Sequence, residues 1–201
     1  MTIKNNKTNT IKFILASASP RRRTLLTEAG YSFKVIPSSI DESLYCTKGI
    51  TPKQHTKTLA LAKAENIAKQ FPDTIVMGSD TVVDLNGQII GKPDNADHAE
   101  QIIRKLFKKP HKVITALALV CINKKIELIQ TDTTIIYPKD LTDRQISDYI
   151  KTCQWKSKAG AYGIQDKADE FIDHIEGSFT NAMGLPMTLV NDMLAELSIH
   201  P

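Results

Sequence analysis

The chain of 201 residues is 41% apolar and 24% charged, the composition of one globular domain with a full core, and it leaves no room for two ordinary domains. Its net charge of +4 suits an anionic substrate but is too small for a nucleic-acid binder, since no Lys/Arg run exceeds Arg21 to Arg23. Cys46, Cys121 and Cys153 have no CxxC spacing, which excludes a disulfide framework or zinc site; with no signal peptide and no apolar stretch of membrane-span length, a cytoplasmic protein without a membrane partner is expected.

Residues 1–11 read as a polar, flexible lead-in to a domain at 12–201. Phe13 to Ala16 has the pattern of a buried strand and breaks at Ser17 into small polar residues. Ser19 then sits where an N-cap belongs, Pro20 fits the first helical position, and Gly30 closes the helix. Three arginines therefore stand in the first turn, where the helix dipole disfavours cations. Free N–H groups and guanidinium forks there make an anion site; a solvated basic helix start is the alternative.

Phe33 to Ile36 reads as a second strand ended by Pro37, and Ile40-Asp41-Glu42 as a loop holding two carboxylates. Thr51-Pro52 opens a helix to about Phe71. Lys63 lies on its apolar stripe, four residues from both Leu59 and Ile67, so it either snorkels to solvent or meets an anion. Thr74 to Gly78 is a buried strand with Ser79-Asp80-Thr81 at its end, where α/β folds gather ligands. Val82 to Leu85 and Gln88 to Ile90 flank an Asn86-Gly87 hairpin turn. Gly87 to Lys92 superficially resembles a P-loop, but a spacer is missing and Pro93 replaces the required hydroxyl.

A helix is expected from about Asn95 to Phe107, a strand from His111 to Ile122, and a returning strand from Lys125 to Tyr137 with a wet stretch at Thr131-Asp132-Thr133. Thr142 and Gln145 form a capping box for the next helix. Lys158 to Gln165 is a small, glycine-bearing segment that lets backbone approach a ligand. Phe171 to Ile175 reads as a strand, Gly177 to Pro186 as a second small-polar loop, and the terminal helix, with Leu189, Val190, Met193, Leu194 and Leu197, as core. The expected class is α/β with a mixed sheet.

The polar strand ends offer Arg21, Arg22, Lys63, Lys92 and Lys158 against Asp80 and Glu42. That inventory fits a polyphosphate held with a hard divalent cation, and water attack on a phosphoanhydride helped by charge neutralisation. It contains no Ser–His–Asp, GxGxxG or HExxH motif.

The motifs Ser17-Ala18-Ser19-Pro20-Arg21-Arg22, Ser79 to Val83, Gly91-Lys92-Pro93, Lys158 to Gln165, and Gly177-Ser178 with Gly184-Leu185-Pro186 occur in the order seen in the Maf nucleotide pyrophosphatases, the septum formation proteins, which the chain resembles over nearly all of residues 13–190. The resemblance implies hydrolysis of nucleoside triphosphates to monophosphate and pyrophosphate with Mg²⁺ or Mn²⁺. It also implies a two-lobed single domain around an elongated mixed β-sheet flanked by helices, with the active site in the cleft, and commonly a homodimer. It gives Asp80 the catalytic role, Ser17, Arg21, Arg22, Lys63 and Lys92 the phosphate, and Asp80 with Glu42 the metal. Gln154 and Ser157 depart from it, at places usually acidic in relatives.

Arg21, Thr81 and Gln165 match the branch of that family that prefers dTTP and UTP. Arg, Thr and an amide can all find partners on a uracil or thymine edge, whereas a methylated guanine calls for an acid and an aromatic face. Alternatives are the 7-methylguanosine triphosphate branch and a non-catalytic regulator of septum formation, though a regulator has no need of Asp80. A third alternative, a nucleic-acid binder using the arginine cluster, requires aromatic or further basic stripes that the sequence lacks, so the expected partner is the nucleoside triphosphate substrate and not nucleic acid.

Overall fold

Three long strands form the spine of the molecule, a computed structural model that describes residues 12–165 and 170–201. The lead-in expected at 1–11 lies outside the described residues. Strand β3 (Val76–Leu85), β5 (His111–Cys121) and β6 (Ile126–Pro138) pair antiparallel in that spatial order. Nearly every residue of β5 is buried, as its run of Val, Ile, Leu and Ala requires when both faces are covered.

Shorter strands extend the spine at its two ends. At one end β1 (Phe13–Leu15) runs parallel to the start of β3, and β2 (Phe33–Val35) runs parallel to β1. At the other, the chain turns at Asn86 and Gly87, both at positive φ, and β4 (Gln88–Ile90) returns along Val83–Leu85; β7 (Ile172–Glu176) pairs with the end of β6. The result is a seven-stranded mixed sheet with six flanking helices among the described residues.

Ser79-Asp80-Thr81 does not end a strand, contrary to the sequence reading. β3 passes straight through it because β5 is its partner without a break from Val76 to Asp84.

Helix α1 (Pro20–Glu28) starts as its sequence dictates: the Ser19 side chain accepts from Arg22 N, Pro20 is the first helical residue, and Gly30 follows at φ +83°. Helix α2 (Pro52–Ala68) opens with a Thr51–Gln54 capping box, and α4 (Asp143–Lys151) with the expected box of Thr142 and Gln145. Between them lies α3 (Ala96–Leu106). Gly177 to Pro186, read as a loop, contains a short helix α5 (Phe179–Met183) capped by Ser178; α6 (Met187–Ala195) follows.

The core has two centres along the sheet. Around β1, one face packs Phe13, Leu15 and Met77 against Leu26 of α1 and Leu194 of α6, while the other packs Ile14 and Val76 against Ala60 and Ala64 of α2. Gly78 permits that second contact: a Cβ there would lie 2.2 Å from the carbonyl oxygen of Ala60. At the far end Val83, Ile103, Leu106, Val113, Ile136 and Tyr162 form a separate cluster. The two lobes expected from the resemblance are these two ends of one sheet.

His111 is buried in the second lobe with its Nε2 2.6 Å from the Tyr162 hydroxyl and its Nδ1 3.4 Å from Lys109 O. Burial pushes the Tyr162 phenol up, so it donates to Nε2, and Nδ1 carries the imidazole proton. Burial pulls His111 down from 6.5 to about 4, against hydrogen bonds to Lys109 and Leu106 that favour the charged ring. Its folded pKa thus lies below its unfolded one, and the unfolded chain takes up the proton first. Stability is therefore expected to fall as pH drops from about 6.5 to about 4, by about 3 kcal/mol from this residue, and to be insensitive to it above 6.5. Urea unfolding across that range measures it: His111→Gln must lose less stability on acidification than the wild type, and equal losses would refute the assignment.

Candidate active site

The site forms where β3 lacks a neighbour. On one edge, β1 supplies its last bond from Ala16 N to Met77 O (2.8 Å), and pairing resumes at Val83, opposite Ile90 of β4. Between these points Gly78 to Val82 have no strand beside them, because Ser17 breaks the apolar run of β1 and the chain turns into α1. This gap lies beyond the carboxyl end of a parallel strand, a place where α/β sheets gather ligands. Successive side chains of β3 leave opposite faces, and the open edge lets both reach the gap.

On the α2 face is an ionic triad. Lys63 does not snorkel: its ammonium lies 2.7 Å from Asp80 Oδ1 and 2.8 Å from Glu42 Oε1, with 13% of the side chain exposed. Asp80 is buried, and its second oxygen, Oδ2, has no protein partner. Glu42, in the short 3-10 turn Glu42–Leu44, is half exposed. Its partial burial raises the carboxyl pKa, but the hydrogen bond and charge of Lys63, with the charges of Lys92 and Arg22, outweigh that and hold it below the usual value.

On the opposite face Arg22 acts as a clamp. Its Nε donates to Gly184 O (2.8 Å), Nη1 to Ser79 O (2.8 Å) and to Ser17 Oγ (3.2 Å), and Nη2 to Thr81 Oγ1 (2.9 Å). Burial pulls the guanidinium below its ordinary value, with Asp80 opposing; a guanidinium still stays charged. Arg22 thus binds α1, β3 and the Gly184 loop together, and one Nη2 proton remains for a ligand. Ser17 Oγ also accepts from Ser19 N (3.2 Å), which leaves its own proton to donate.

Arg21 stands beside Arg22 and is half-buried. Lys92 is exposed in the loop after β4 and acts on Glu42 through its charge. A bond from Gly160 N to Gly91 O (3.0 Å) ties that loop to the Lys158–Gln165 segment, in which Gln165 is exposed in the turn after Ile164. Gln154 and Ser157 lie between α4 and that segment.

The oxygen donors of Asp80 and Glu42 suit a hard divalent cation, and Oδ2 is an unpaired buried donor. Among the described residues no cluster of three or more ligating side chains occurs, so a metal here would take its remaining ligands from substrate phosphates and water.

Sequence reading missed the polar groups behind Thr81. Thr115 of β5, Thr134 of β6 and Asn181 of α5 are fully buried. Asn181 Nδ2 donates to Val113 O (3.1 Å) and Thr134 Oγ1 (2.8 Å), while Thr134 Oγ1 donates to Ser178 O (2.8 Å). Gly177, at φ +118°, lets the loop pass: a Cβ would meet Thr133 O and Thr134 Oγ1 at 3.0 Å. The signal available was a threonine interrupting the otherwise apolar run of β5.

Residues 12–197 match the family of Maf-like proteins. Relatives include dTTP/UTP pyrophosphatases of Ruminiclostridium cellulolyticum (37% identical, covering 92% of this chain and 95% of the relative) and Geotalea uraniireducens (42%; 92% and 94%). Another, from Alkaliphilus oremlandii, is 42% identical, covering 88% and 91%. The fold is also that of the Staphylococcus aureus Ham1 protein, with a TM-score of 0.51 at 13% identity over 92% of this chain and 98% of that one. Every motif lining the gap in β3 falls inside the matched span, and the chain belongs to the family of Maf-like proteins.

Proposed function

We propose that this protein hydrolyses dTTP and UTP to the nucleoside monophosphate and pyrophosphate. The observation that carries the reading is Asp80: a buried carboxylate on an open strand edge, with one oxygen held by Lys63 and the other unpaired. The relatives named dTTP/UTP pyrophosphatase support the substrate class.

In this reading Arg21, Lys92, the Ser17 hydroxyl and the remaining Nη2 proton of Arg22 hold the triphosphate chain. Asp80 Oδ2 accepts a proton from the attacking water as the bond between the α- and β-phosphates breaks and pyrophosphate departs. Lys63 keeps Asp80 oriented and reaches toward developing phosphate charge. Asp80 and Glu42 would hold Mg²⁺ or Mn²⁺, which supplies charge neutralisation and polarises the phosphoanhydride when bound with substrate. The base lies toward Thr81, with Arg21 and Gln165 completing its recognition.

Asp80→Asn keeps the shape of the side chain and removes its basicity. It is expected to lower kcat by roughly 10²–10⁴-fold in a protein that still shows a wild-type circular dichroism spectrum. Wild-type turnover in the folded variant would sink the assignment.

For the substrate, kcat/KM is compared for dTTP, UTP and 7-methylguanosine triphosphate with Mg²⁺, and for dTTP with Mn²⁺, by pyrophosphate release. dTTP and UTP are expected to exceed the methylated purine by at least about tenfold, since a site with donors fixed for one base edge leaves them unpaired on another. A methylated purine ahead of both pyrimidines would refute the reading of Arg21, Thr81 and Gln165.

A further inference from the structure

Behind the gap in β3 runs a chain of hydrogen bonds whose direction is fixed at both ends. Arg22 Nη2 lies 2.9 Å from Thr81 Oγ1, Thr81 Oγ1 lies 3.0 Å from Thr115 Oγ1, and Thr115 Oγ1 lies 3.2 Å from the backbone oxygen of Asn181. A guanidinium has only protons to give, and a carbonyl only lone pairs to accept them. Thr115 has one proton, and the Asn181 carbonyl takes it. Toward Thr81 it can therefore only accept, so Thr81 must donate; two oxygens 3.0 Å apart with no proton between them would repel. The other acceptor in reach of the Thr81 proton, Gly184 O at 3.4 Å, is also protein.

Thr81 thus has no proton left for a ligand. Its oxygen accepts from Arg22 and retains one lone pair, and the residue is partly exposed at the gap while Thr115 and Asn181 are fully buried. The charge on Arg22 polarises each hydroxyl in the same direction, which reinforces the arrangement. The Asn181 carbonyl is itself held: it also accepts from Gly184 N (2.8 Å), and its side chain is bonded to Val113 O and Thr134 Oγ1.

We propose that Thr115 and the Asn181 carbonyl are positioning residues for base selection, which make Thr81 an obligate hydrogen-bond acceptor. A pyrimidine whose ring N3 carries a proton, uracil or thymine, satisfies that lone pair. Cytosine presents a bare acceptor at N3 and meets it lone pair to lone pair. The inference rests on the reading above, in which Thr81 faces the base, and adds the groups that determine which pyrimidine is accepted.

The test is the ratio of kcat/KM for UTP over CTP, measured by pyrophosphate release with Mg²⁺. The wild type is expected to favour UTP by at least about tenfold, the consequence of leaving a buried polar group unpaired. Thr115→Val removes the nearer acceptor and leaves the Thr81 proton only the long contact to Gly184 O (3.4 Å), weak enough for it to turn toward cytosine N3, so the ratio falls by about tenfold, while Thr115→Ser restores it. Thr115→Ala makes the same change without placing a methyl group against Thr81, and serves if the valine variant does not fold. A purely structural role for Thr115 would lower UTP and CTP turnover together and leave the ratio unchanged, which overturns the proposal. A wild type that hydrolyses UTP and CTP equally overturns it as well but leaves the proposed hydrolysis standing. A wild type that hydrolyses neither dTTP nor UTP removes both.

Discussion

An unpaired stretch of strand edge is the constraint on which this structure depends. Backbone groups on an edge must find partners or face water, and Gly78 to Val82 have no neighbouring strand on one side. Arg22 meets part of that need by donating to Ser79 O. The guanidinium takes the place of a strand, yet unlike a strand it brings a charge and a spare proton. In the proposed reaction the group that completes the sheet is also one that faces the anionic substrate.

The arginines at the start of α1 conflict with the helix dipole, and the structure shows how the conflict is resolved for Arg22. Its side chain meets the oxygens of Ser79, Gly184, Ser17 and Thr81, which offset the repulsion from the helix start. On the opposite face the balance has the other sign. One ammonium serves two carboxylates, so the Asp80–Glu42 pair retains negative charge next to a cluster of cations. That balance of charge fits the proposed binding of a phosphate chain together with its counter-ion.

Features with local causes were legible in the sequence. Ser19-Pro20, Thr51-Pro52, the Thr142–Gln145 box and the Asn86-Gly87 turn each act within four residues, and each is found where it was expected. The stripe position of Lys63 pointed to a buried anion or to solvent, and only the register of α2 on the sheet decides between them. That register depends on Gly78 meeting Ala60, a contact between backbones distant in sequence. The continuity of β3 through Asp80 was hidden for the same reason, since β5 imposes it from outside. Helix α5 was missed because its five residues are too short to show a period, and Thr115 and Asn181 because their bonds link four different elements, β3, β5, β6 and α5. Of the candidate residues, Glu42, Lys63 and Asp80 form one group and Ser17, Arg22 and Thr81 another; Gln165, in an exposed turn, has its role from the family resemblance alone.

β3, β5 and β6 each run the full length of the sheet, past both lobes. Clefts between domains usually open by rotation at a few residues of a single connecting segment. Here three hydrogen-bonded strands span the boundary, and bending one would require bending all of them. The two lobes are therefore held at a nearly fixed separation by the sheet itself. A swing of one lobe against the other is not a motion this sheet allows without distorting the ladders between β3, β5 and β6.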